Sequence, residues 1–64
     1  MSGDVNPTKS YEVRLIPTKG KVRLFVIAVS TDQEAAEFAK VLLLRHMDCE
    51  SAEVWCGMKL IRQL

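Results

Sequence analysis

Between Ser30 and Arg45 the chain reads STDQEAAEFAKVLLLR, and the stretches on either side of it alternate apolar and polar residues with a period of two. This contrast constrains the fold more than any other feature, because a 3.6-residue pattern builds a helix and a two-residue pattern builds a strand. Thr31 and Glu34 stand at the spacing of a capping box, in which each side chain satisfies a backbone N–H of the first turn. Asp32 suits the positive end of the helix dipole, and Arg45 and His46 suit its negative end. The segment therefore predicts a helix capped at Thr31 and running to about Arg45 or His46.

Before the helix, Tyr11, Val13 and Leu15 alternate with Glu12 and Arg14, as in a half-buried strand. Pro17 ends that strand, and TKGK (Thr18–Lys21) supplies a glycine-bearing hairpin turn. Lys21 to Val29 forms a second strand, apolar on both sides from Leu24 onward, so neither face is expected to be fully open to water. After the helix, Ala52, Val54 and Cys56 alternate with Glu53 and Trp55; Gly57–Lys59 make a second tight turn, and LIRQL completes a short last strand. The predicted class is α+β: a ββαββ chain with one helix on one face of a small, mostly antiparallel four-stranded sheet. Strand order 2-1-3-4 is expected, with a right-handed crossover through the helix. Residues 1–9, with Gly3, Asp4, Asn6 and Pro7, are expected to form a flexible tail, and residues 10–64 a single domain. A chain of 64 residues leaves no room for a second core. It buries only about 60% of its unfolded surface, so unusually good packing or oligomerisation would add needed stability.

The C-terminal stretch AEVWCGMKLIRQL follows a β-hairpin and an alanine-rich helix. On Glu53, Val54, Trp55, Gly57, Leu60 and Arg62 the chain resembles small uncharacterised proteobacterial proteins closed by a Val-Trp-x-Gly hairpin, a resemblance spanning residues 11–64. It implies the ββαββ fold and a bacterial source, and it carries no activity, cofactor or partner.

On a helical wheel, Ala35, Ala36, Phe38, Ala39, Leu42 and Leu43 fall in one arc that should face the sheet. Leu44 lies among the polar residues and Val41 at the edge of the arc, which marks them as a secondary contact. Tyr11, Val13, Leu15, Val22, Leu24, Val26, Val54 and Leu60 are expected to face the helix. Ile16, Phe25, Ile27, Trp55 and Ile61 would then share the opposite face with Glu12, Arg14, Arg23 and Glu53. Aromatics and arginines are enriched at interface cores and hot spots. Phe25, Ile27, Trp55 and Ile61, rimmed by Arg14 and Arg23, are accordingly the predicted contact surface. The expected role is a non-catalytic protein-interaction domain that self-associates as a symmetric dimer or binds a protein partner.

An alternative is binding of single-stranded nucleic acid, with RNA bases stacking on Phe25 and Trp55 between Arg14, Arg23 and Arg62. A net charge of +1 gives no basic footprint for it, and Glu12 and Glu53 would share the face. A further alternative is a metal or thiol site at His46, Cys49 and Cys56. Their H-x2-C-x6-C spacing lacks the paired ligands of zinc sites, so no metal is expected. A Cys–His nucleophile would need an orienting third group and a pocket. No glycine-rich phosphate loop, Ser-His-Asp set or carboxylate cluster is present in the sequence, so neither catalysis nor a cofactor is expected. MSGDVNPTKS contains no apolar run of signal-peptide type. The longest apolar run, Leu24 to Val29, is far short of the about 20 residues of a membrane span. A cytoplasmic location with two free thiols is expected.

Overall fold

A computed structural model describes residues 7–64. Its elements are β1 (Lys9–Pro17), β2 (Arg23–Val29), α1 (Asp32–Arg45), β3 (Cys49–Cys56) and β4 (Lys59–Gln63). The expected ββαββ chain is what forms, and the sheet order is β2-β1-β3-β4 with every neighbouring pair antiparallel. β2 and β3 thus run parallel to each other on either side of β1, and α1 makes the crossover between them. Of the expected N-terminal tail, residues 1–6 lie outside the described residues, while Lys9 already belongs to β1.

Alternation in β1 sets the two sides of the sheet. Tyr11, Val13, Leu15 and Pro17 are buried toward the helix, and Glu12, Arg14 and Ile16 on the other side are half-buried. β3 follows suit across the pairs Val13–Val54 and Leu15–Ala52. Gly20 and Gly57 turn the two hairpins with φ of 99° and 61°, a backbone region that side chains larger than glycine disfavour.

The helix meets this sheet through alanine: Ala35, Ala36 and Ala39 are its buried residues. Their methyl groups are worth about 0.8 kcal/mol each, against about 1.5–3 kcal/mol for each buried valine or leucine of the sheet. Sheet side chains therefore dominate the core, and small helix residues serve mainly to let the helix come close. Leu42 and Leu43 pack against the core from the margins. Phe38, expected in the buried arc, is instead 45% exposed. It lies roughly 105° from the middle of the alanine stripe at 100° per residue, so a closely docked helix leaves it at the flank.

Both helix ends are satisfied. Thr31 Oγ1 accepts from the Glu34 N–H at 3.1 Å, and Glu34 Oε1 accepts from the Thr31 and Ser30 N–H groups at 3.1 Å, completing the expected box. At the other end the His46 N–H donates to the Leu42 and Leu43 carbonyls. The His46 ring Nδ1 sits 2.7 Å from the Leu42 oxygen, which can only accept, so that nitrogen carries the proton. The imidazole also packs edge-on against Phe25, with 5.6 Å between ring centroids.

Two polar links tie the start of the helix and the turn that follows it to the sheet. The Tyr11 hydroxyl, buried under the helix N-terminus, donates to Asp32 Oδ1 at 2.5 Å. Arg23 grips Asp48 through two parallel bonds, Nη1–Oδ1 at 3.0 Å and Nη2–Oδ2 at 2.6 Å, and Asp48 O accepts from the Thr18 N–H. The Arg23 hydrogen bonds hold the Asp48 carboxyl below its ordinary range.

The bond to Asp32, with burial second, pushes the Tyr11 phenol up from 10.0 to about 12. Its folded pKa lies above the unfolded one, so its stabilisation is complete below pH 10 and is lost as pH rises through about 12. Tyr11 is the sole tyrosine, so an ultraviolet absorbance titration should show phenol ionisation near pH 12 and not near 10. Thr31→Ala should lower stability by about 1 kcal/mol, read from the urea midpoint, because the Glu34 N–H loses its side-chain acceptor.

Candidate interaction surface

Two rows of side chains cross the face opposite the helix. Register places Leu24, Arg14, Glu53 and Gln63 in one row and Val26, Glu12, Trp55 and Leu60 in the next. Antiparallel partners project to the same side, so each row spans all four strands. No described element covers this face, and Val26 is 77% exposed, Leu24 61% and Leu60 42%.

The centre of the face is polar and internally hydrogen-bonded. Arg14 Nε donates to Glu12 Oε2 at 3.0 Å, and the guanidinium lies 4.5 Å from the centroid of the Trp55 ring. The indole N–H in turn donates to Glu53 Oε1 at 3.0 Å. Glu12, Arg14, Trp55 and Glu53 therefore form a connected patch, with aliphatic groups on the β2 side and Leu60 on the β4 side. Glu12 supplies the counter-charge of Arg14, while Glu53 accepts only the neutral indole N–H, so the patch is hydrogen-bonded throughout and keeps one net negative charge.

Of the predicted contact residues, the structure brings together Arg14 and Trp55. Phe25 and Ile27 do not join them: they pair with Val13 and Tyr11, and so pack into the core beneath the helix. Both faces of β2 are apolar from Leu24 onward, so its own pattern does not phase it, and pairing with β1 decides. Leu24 and Val26, expected under the helix, take the open face, and Val22 precedes β2 and is exposed. Ile61 is the extra residue of a bulge in β4, because Val54 pairs with Arg62 while Trp55 pairs with Leu60. The bulge sends Ile61 to the core and Leu60 to the open face, reversing the expectation for both. Arg23 lies opposite Leu15 on the helix side, where Asp48 holds it and Cys49 Sγ is 3.8 Å away. Val41 and Leu44 are 50% and 71% exposed on the helix, on the other side of the molecule from Trp55. Val41 flanks a groove beside β2 with Val29 and Phe38, and Leu44 a groove beside β4 with Leu43 and Leu64.

These positions take apart the stacking platform expected for nucleic acid. Phe25 is under the helix, Arg23 is engaged by Asp48, and Arg14 occupies a face of the Trp55 ring. The His46, Cys49 and Cys56 set also fails to converge. Cys49 and Cys56 stand at opposite ends of β3, about 23 Å apart along an extended strand, too far for one metal or one disulfide. Both are free cysteines, and no group of three or more His, Cys, Asp or Glu comes together among the described residues. No helix among them is long and apolar enough to cross a membrane. No family model, curated protein or solved structure matches this chain.

The Arg14–Trp55 contact should be measurable as coupling. A double-mutant cycle of Arg14→Ala and Trp55→Ala should return about 0.5–1 kcal/mol from denaturant unfolding, the range of a partly exposed cation–π pair.

Proposed function

We propose that this chain is a non-catalytic protein-interaction domain that works by self-association through its sheet, the occupant of the contact being a second copy. The observation that carries this reading is the distribution of exposed aliphatics: Leu24 and Val26 stand side by side on β2, next to a patch whose polar side chains are hydrogen-bonded to one another. Charged side chains line the middle of the open face and not its β2 margin, so that margin costs least to desolvate. Small domains also gain stability from association that their own cores cannot supply. A cytoplasmic setting in a bacterial cell, within the proteobacterial group it resembles, belongs to the same proposal. Unbridged thiols favour a reducing compartment.

Light scattering over a range of concentrations tests it. The mass should rise toward twice 7.2 kDa on concentration and fall toward 7.2 kDa on dilution. Val26→Lys, at a site open enough to leave folding intact, should hold the chain at the lower mass with an unchanged circular dichroism spectrum. A wild-type chain that stays at 7.2 kDa throughout would overturn the proposal.

A further inference from the structure

The two edges of the sheet are built differently. β4 is five residues long, is interrupted by the bulge at Ile61, and carries Lys59 and Arg62. Short length, bulges and lysines are devices that keep an edge strand from pairing with another chain. β2, the opposite edge, has none of them. After Arg23 it reads LFVIAV, without charge, proline, glycine or register shift. Among the described residues it pairs with β1 alone, so one side of its backbone presents unpaired N–H and C=O groups.

We infer that β2 is a dimerisation edge, joining antiparallel to β2 of a second copy to make one continuous eight-stranded sheet. The inference rests on the self-association reading above and specifies its geometry. A twofold axis perpendicular to the sheet is the symmetry that pairs a strand with its own copy antiparallel. Centred on Val26, the middle of the seven residues, it sets Val26 against itself, Leu24 against the second copy's Ala28, and Phe25 against its Ile27. Such a pairing uses all seven residues and forms about six or eight inter-chain backbone bonds, two at each alternate pair.

The same axis puts both helices on one face of the joined sheet, side by side and antiparallel. Each then presents the groove beside β2, of about 530 Å³, in which Val29, Phe38 and Val41 form the floor and wall. Glu34 and Glu37 stand at its N-terminal end and Arg45 at its C-terminal end. Antiparallel helices bring the acidic end of one against the arginine of the other, so the groove is self-complementary in charge and in apolar surface. This gives Phe38 and Val41, half-exposed in the monomer, a common place to be buried.

Two single variants and one cross-link test the geometry. Val41→Glu puts a charge in the helix groove, away from the open face, and should weaken the dimer by at least roughly tenfold in light scattering. Leu60→Lys, at the far margin of the open face, should leave its dissociation constant unchanged. Val26→Cys in a Cys56→Ser background should form a covalent dimer on mild oxidation, because antiparallel partners stand about 4.5–5.5 Å apart at Cα, within disulfide reach. A dimer broken by Leu60→Lys and indifferent to Val41→Glu would overturn the edge geometry while keeping self-association through the open face. A dimer that Val26→Cys does not cross-link would overturn the Val26-centred pairing. A chain that is monomeric at every concentration would overturn both readings.

Discussion

Everything in this domain is referred to β1. It is bonded on both sides, to β2 and to β3, and its alternation is the cleanest in the chain: tyrosine, valine, leucine and proline inward, glutamate, arginine and isoleucine outward. Because a strand's side-chain period is two, fixing the phase of β1 fixes that of every strand registered to it. The buried tyrosine adds a directional bond to this phase, since its hydroxyl reaches the carboxylate at the first turn of the helix. One strand thereby sets the sheet's two faces and the seat of the helix above it.

The helix accepts that seat by being small where it touches. With alanines at the contact, its backbone lies close to the sheet, and its larger side chains are displaced to the two margins. The two apolar grooves, one beside each edge strand, follow from this displacement. They differ in what adjoins them: a bulged, basic strand on one side and an unbroken, largely apolar strand on the other. A surface that a wheel diagram renders as scattered anomalies is thus a consequence of close docking.

Much of this was legible beforehand, and the exceptions have physical causes. Strand order, the capping box, the helix end near Arg45 and the side chains of β1 and β3 all rest on patterns with polar residues to mark the phase. β2 has no such marks, and alternation alone puts Phe25 and Ile27 on the wrong face. The signal that could have found it lies in the hairpin: β1–β2 pairs sum to an even number, as in Val13 with Phe25, so odd residues in both strands share a side. A turn centred on a residue gives that parity, and a turn centred between residues gives the opposite one. The bulge at Ile61 was invisible for a different reason, since an inserted residue breaks the alternation from which the strand is read. Of the candidate surface, alternation alone finds Arg14 and Trp55; it puts Leu24, Val26 and Leu60 under the helix, where the β1–β2 pairing and the β4 bulge do not leave them.

The alanine contact also reverses the usual relation between the size of a residue and the tolerance of its position to change. Leu44 and Phe38 project far enough that replacing either with a polar residue leaves the monomer's core intact. Ala35 and Ala39 are fully buried, and one added methylene at either must lift the helix from the strands or distort both. As sequences drift under selection for the fold alone, the helix would lose its bulky residues first and its alanines last.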